Sequence, residues 1–196
     1  MKKTEQLLII VTLITIVLQA LNIPGSAMIL VIVLSLTAML YMYLGFAIFN
    51  QIGFRQIFRK KSYESVSGMR ILGAIAAGFT LSILLTGLLF KIMLWPGSGP
   101  MLTVSAFPCM IIMIVGLIRY SRDQSPYYTF IFKRLGIFGA LALFFYLLPS
   151  EKWVAFRYKE HPDYVEAYKK AAADPHDSVL RDKAEEERKK MYSKNN

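Results

Sequence analysis

From Ala27 to Phe49 the chain runs for twenty-three residues without a charge. A bilayer core about 30 Å thick is crossed by roughly 20 apolar residues in a helix, and that length recurs along the sequence. Leu7–Ile23 supplies seventeen residues, interrupted only by Thr12, Thr15, Gln19 and Asn22. Ile71–Phe90 supplies twenty and Met101–Ile118 eighteen. Leu135–Leu148 is only fourteen residues long, but Tyr128–Phe132 extends it upstream past Lys133 and Arg134. Hydrophobic residues make up 55% of the 196, more apolar surface than a soluble domain of this size can hide. The expectation is an all-α, polytopic membrane helical bundle of two tandem hairpins, a fifth apolar helix and a polar helical tail. Its spans fall at about 7–23, 27–49, 71–95, 101–118 and 128–148 within a membrane region of residues 1–149, with the charged tail at 150–196.

Direction follows from charge. The net charge is +10, and residues 1–149 hold twelve Lys/Arg against three acids, Glu5, Glu64 and Asp123. Residues 150–196 are nearly balanced, with eleven Lys/Arg against ten acids. Lys2 and Lys3 precede the first span, Arg55, Arg59, Lys60, Lys61 and Arg70 separate the second from the third, and Arg119, Arg122, Lys133 and Arg134 separate the fourth from the fifth. Only Lys91 lies between spans three and four. Positive charge in short loops sets orientation, so the N-terminus is expected in the cytoplasm with eleven of the twelve cations. Five crossings then place the tail outside; a fifth segment lying in the interface would keep it inside. Lys2 and Lys3, with Gly25 and Ala27 at −3 and −1 of a possible cut, also fit a signal peptide. The long apolar run and the span that follows at once favour a retained helix.

Both hairpins turn on the same tripeptide. Pro24-Gly25-Ser26 falls on Pro96-Gly97-Ser98 at an offset of 72 residues, and Leu30 then falls on Leu102. Pro-Gly punctuates many tight turns, but these two join corresponding spans, which reads as an internal duplication. In span three Ala74, Gly78, Ser82 and Thr86 recur every four residues as a small-residue stripe. Such a stripe lets helix backbones approach closely, within the chain or with a partner. Pro108 in span four leaves the Val104 carbonyl without its usual donor, which predicts a kink, with a hinge as the alternative.

Lys91 carries the one charge near the outer turns. A charge at the bilayer centre costs about 2.5–3.5 kcal/mol, so intramembrane cations invite a functional reading. Lys91 lies five residues before Pro96, roughly 7 Å along a helix, and a lysine stem spans much of that distance. Trp95 belongs to the same interfacial belt. No Asp, Glu or His occurs in the five apolar segments to complete a relay. Lys91 therefore reads first as an interface anchor or a ligand of the turn carbonyls, ahead of a partner-binding charge or a transport residue.

The stretch "GLLFKIMLWPGSGPML" resembles the first-hairpin signature of the GldL family, inner-membrane subunits of the gliding-motility and type IX secretion motor. The matching positions are Gly87, Phe90, Lys91, Ile92, Met93, Trp95, Pro96 and Gly97, and Leu94 stands where that family usually has His. The resemblance covers roughly residues 70–118. It implies a bacterial inner membrane and an outward-facing Trp-Pro-Gly turn. Members of the family draw on the proton gradient through an acid in the second helix of the hairpin, whereas Met101–Ile118 contains none.

After span two, Arg55, Arg59, Lys60 and Lys61 flank Ile52, Ile57 and Phe58. This pattern fits ordinary topological charge and also an interfacial helix gripping anionic headgroups, each cation being worth about 1 kcal/mol near the surface. In the tail, Trp153, Phe156 and Tyr158 continue interfacial contact, Pro162 opens a helix with Tyr164, Val165, Tyr168 and Ala172 on one stripe, and Asp177 or Ser178 caps another. Glu185–Lys189 and Glu186–Lys190 are favourable pairs on that last helix. His161 and His176 lie fifteen residues apart without nearby Cys, and the single thiol, Cys109, offers neither disulfide nor metal site.

No catalytic residue, metal or cofactor is assigned. The reading is a non-enzymatic subunit or scaffold of a membrane complex, its partners being anionic lipid and other membrane proteins or a second copy, with no nucleic acid. Its alternative is an ion-gradient-driven transporter or motor component. A lipid-acting enzyme is the weakest class, Tyr127 and Tyr128 beside Arg122 and Asp123 being the nearest polar cluster.

Overall fold

A computed structural model describes residues 2–64 and 66–194. The described residues form eight α-helices and two 3-10 turns, and no strand occurs among them. Helices α1 (Lys2–Ala20), α2 (Ser26–Phe49), α3 (Gly68–Met93), α4 (Ser98–Asp123) and α5 (Pro126–Leu147) are each long and apolar enough to cross a membrane. Three shorter helices follow: α6 (Ser150–Arg157), α7 (Pro162–Ala173) and α8 (Ser178–Lys194). The chain divides into two compact units, Met1–Leu147 and Leu148–Asn196.

The hairpin turns share a mechanism residue for residue. Helix α1 closes where Asn22 enters the left-handed region at φ 57, with its amide bonded to the Gln19 carbonyl at 3.2 Å and the Ile23 amide to Leu18 at 3.1 Å. Seventy-two residues on, Leu94 takes φ 59, its amide reaches the Lys91 carbonyl at 3.3 Å, and the Trp95 amide reaches Phe90 at 2.8 Å. This paired bonding satisfies the helix-terminal carbonyls that would otherwise be orphaned. Gly25 (φ 80) and Gly97 (φ 90) then turn the backbone back, in a region glycine enters without steric cost. Helix α2 ends in the same way at Gln51 (φ 59).

The helix bounds differ from the apolar stretches at both ends. Residues 21–23 belong to the first turn, and α3 stops at Met93, because the left-handed residues 22 and 94 end the helices before their hydrophobicity does. At the other end the helices outrun the apolar runs. Helix α1 includes Glu5, α3 begins under the Ser67 cap, α4 continues to Asp123, and α5 starts at Pro126, where a first-turn proline suits the helix. Only residues 124–125 separate α4 from α5, so Arg119, Arg122, Lys133 and Arg134 ride on helices rather than in a loop. Helix α4 continues through Pro108.

Helix α3 is the centre of the membrane unit and packs on α2, α4 and α5. Leu81, Leu85, Leu88 and Ile92 on α3 are fully buried, as are Leu30, Leu34 and Tyr41 on α2. Their crossing is tight because it has no side chains at its centre. A Cβ built on Gly78 would lie 2.4 Å from the Tyr41 carbonyl oxygen and 3.1 Å from the Gly45 Cα.

In the second unit α7 packs on both α6 and α8. Pro162 opens α7, and Asp177 caps α8, its Oδ1 accepting from the Val179 amide at 2.8 Å. Trp153 stacks on Phe156 within α6 at 5.9 Å, and Tyr158 just past α6 meets Tyr164 of α7 at 5.1 Å between ring centroids. Glu186–Lys190 (2.9 Å) and Glu185–Lys189 (3.6 Å) pair along the exposed side of α8.

Candidate functional site

The turn residues Phe90, Lys91, Trp95, Pro96 and Gly97 sit together at the α3–α4 corner, with the Phe90 and Trp95 rings edge to face at 5.2 Å. Lys91 is half-buried in the last turn of α3. Its counterpart in the first hairpin, 72 positions earlier, is Gln19, which is buried. The Gln19 Oε1 accepts from Ser26 Oγ at 2.7 Å, and its Nε2 lies 4.0 Å from Met93 Sδ. At this position of the first hairpin, then, a polar side chain braces the turn and reaches across to α3.

The small-residue stripe faces into the chain's own bundle. Ala74 and Gly78 lie against Gly45 of α2, Ser82 is buried, and Thr86 donates back to the Ser82 carbonyl at 2.9 Å. The basic loop is not a continuous interfacial helix. It forms 3-10 turns at Phe54–Gln56 and Lys60–Tyr63, because Gly53 and an extended Arg59 interrupt the helical run. Arg55, Arg59, Lys60 and Lys61 are exposed, Phe58 beside them is 91% exposed, and Ile52 turns inward and is buried.

The arrangement with the most chemistry is one the apolar segmentation missed. Glu5, in the first turn of α1, is 1% exposed, and both its carboxylate oxygens accept from the Arg134 guanidinium of α5, one from Nε and the other from Nη2. Tyr41 of α2 donates its hydroxyl to Glu5 Oε1 at 2.8 Å, and Arg134 Nη1 donates to the Phe130 carbonyl at 2.9 Å. The rings of Phe49 and Phe130 flank the guanidinium at 5.7 and 5.2 Å. Three helices, α1, α2 and α5, therefore meet on one carboxylate. A bidentate arginine–carboxylate pair fixes orientation as well as distance. Its burial makes it intolerant of losing one member, since the other charge is then stranded.

The signal for this cluster lay in two interruptions. Glu5 is the one acid just ahead of span one, and Arg134 breaks the fifth apolar run, with opposite charge. Counting spans by hydrophobicity left Glu5 ahead of the first span and treated Arg134 as an interruption of the fifth, whereas the helices carry both inward. A cavity of 270 Å³ adjoins the pair, walled by Ile48, Gln51, Ile52, Gly53 and Phe130.

Among the described residues no group of three His, Cys, Asp or Glu has the placement of a metal site. No protein-family model, no curated protein and no solved structure matches this chain.

Proposed function

We propose that this chain is a non-enzymatic structural subunit of a membrane complex in a bacterial inner membrane, related to the GldL hairpin proteins, with its N-terminus in the cytoplasm. The observation that carries the reading is the closed state of the Glu5 carboxylate. Arg134 and Tyr41 occupy its oxygens, so the acid fastens three helices together. A carboxylate that carried protons would have to leave a bidentate partner at each cycle, which costs several kcal/mol in a buried site. The hairpin's second helix, α4, brings no acid to replace it before Asp123 at its end. The resemblance to the gliding-motor subunit over roughly residues 70–118 thus comes without the acid on which that motor depends.

The small-residue face of α3 is spent on α2, so contacts with other proteins belong elsewhere. Helix α4 is the least covered of the five, with Phe107, Ile114 and Ile118 exposed. Photo-crosslinking residues placed at these positions in native membranes should give one discrete protein adduct. Adducts to lipid alone at all of them would overturn the subunit reading.

The alternative, an ion-gradient-driven transporter or motor component, is favoured by one observation: the 270 Å³ cavity reaching Glu5 and Arg134. Proteoliposomes separate the two. The structural reading expects no proton flux above that of empty vesicles, and flux lost in Glu5→Gln or Lys91→Ala would establish the alternative.

A further inference from the structure

A second cavity, of 360 Å³, opens between α3, α4 and α5 at the end of the bundle where α3 and α5 begin and α4 ends. Its polar and apolar walls are separated by depth. Arg70, Arg119, Asp123 and Tyr128 ring the helix ends, and Leu72, Ala76, Ile112 and Val115 line it further in. On α4, eight residues separate Arg119 from Ile111, about 12 Å along the axis. The deeper walls are not covered by protein: Leu72 is 60% exposed and Val115 51%.

The polar end is built rather than incidental. The Arg70 guanidinium lies on the Tyr127 ring, 4.8 Å from its centroid, and the Tyr127 hydroxyl donates to the Arg70 carbonyl at 3.0 Å. Gly73 makes room for that hydroxyl, because a Cβ there would stand 2.9 Å from it. Arg70 Nε is sealed from solvent and has no hydrogen-bond partner among the described residues. Stacking on Tyr127 holds the half-exposed Arg70 guanidinium in place at the rim of the cavity, where it lines the opening with Arg119. Neither Arg70 nor Arg119 is ion-paired with a carboxylate among the described residues, which leaves two cations against Asp123.

We propose that this cavity seats a single anionic phospholipid, its phosphate held by Arg70 and Arg119 and one acyl chain descending along Leu72, Ala76 and Val115. The charge excess selects an anionic headgroup, as basic pockets between transmembrane helices on the cytoplasmic side do. The apolar depth, open to the bilayer, selects a lipid over free phosphate. This site is separate from the exposed Arg55–Lys61 cluster and does not depend on the subunit reading.

Native mass spectrometry of the full chain released from nanodiscs tests it. In discs of phosphatidylcholine with a minority of phosphatidylglycerol, one phosphatidylglycerol per chain should be retained selectively. Arg70→Gln/Arg119→Gln should weaken that retention at least about tenfold, the equivalent of 1.4 kcal/mol. Val115→Trp, which blocks the apolar shaft and spares both arginines, should weaken it as well, and it carries the test if the double variant does not fold. Lys60→Gln/Lys61→Gln should leave the retained lipid in place. Equal retention of phosphatidylcholine, displacement by inorganic phosphate alone, a second copy of the chain in the groove, or unchanged retention in Val115→Trp would each overturn the proposal.

Discussion

Removing the guanidinium of Arg134 strands the Glu5 carboxylate in a site 1% exposed, and removing the carboxylate strands the guanidinium among phenylalanines. Either loss, in Arg134→Ala or Glu5→Ala, should cost about 3–5 kcal/mol, the range for breaking a buried pair. The pair itself need not be strongly stabilising, because desolvation offsets much of its attraction. Glu5→Leu/Arg134→Met, which exchanges both charges for apolar side chains, should therefore be more stable than either single variant. Unfolding in detergent, followed by tryptophan fluorescence, gives the comparison, and an additive double variant would refute the coupling. Tyr41→Phe removes one hydrogen bond to a charged acceptor and should cost about 1.5–3 kcal/mol. At the α2–α3 crossing, Gly78→Val places a side chain where the Tyr41 carbonyl already lies 2.4 Å from a Cβ. The backbones must separate, and the loss should exceed the roughly 1–3 kcal/mol of ordinary overpacking, read as lowered thermal stability of the whole membrane unit.

At the scale of the element, the two turns share their dihedral pattern but not the side chains that adopt it. Asn22 suits the left-handed region and Leu94 does not, yet both take nearly the same φ. Leu94→Gly should thus stabilise the second hairpin by about 1 kcal/mol, whereas Gly97→Ala (φ 90) should weaken it by about 1–2 kcal/mol. Thermal unfolding of the two variants, opposite in sign, checks the assignment. These turns were legible because Pro-Gly-Ser is a local code whose meaning does not depend on distant residues. The five long helices were legible for a related reason: in lipid, backbone polar groups must be satisfied within the segment, so apolar length alone implies helix. The Glu5–Arg134 pairing was not, since 129 positions separate its members and hydrophobic counting stops at charged residues. Neither was the shape of the basic loop, where apolar spacing suited a helix but Gly53 and Arg59 interrupt it with extended backbone. The small-residue stripe announced a close crossing without naming its partner, which required Gly45 on another helix.

At the scale of the whole molecule, helix parity and charge together make a topology prediction. Hydrogen bonds tie the starts of α3 and α5 together through Arg70 and Tyr127, and the ends of α1 and α3 meet at Gln19 and Met93. The five helices thus alternate in direction, gathering eleven of the twelve cations of residues 1–149 toward one end and Lys91 toward the other. By the positive-inside bias the cationic end is expected in the cytoplasm. Helix α5 continues past Lys133 and Arg134 for a full 22 residues, long and apolar enough to make a fifth crossing. A fifth crossing should bring residues 150–196, with their eleven Lys/Arg, out on the outer face. A Cys109→Ser background carrying one new thiol at a time tests this in intact spheroplasts with a membrane-impermeant maleimide. Gly99→Cys, just past the second turn, and Glu185→Cys, on α8, should label without permeabilisation, while Lys61→Cys should label only after it. Labelling of position 185 together with 61 would mean that α5 does not cross, and labelling of 61 without 99 would invert the bundle.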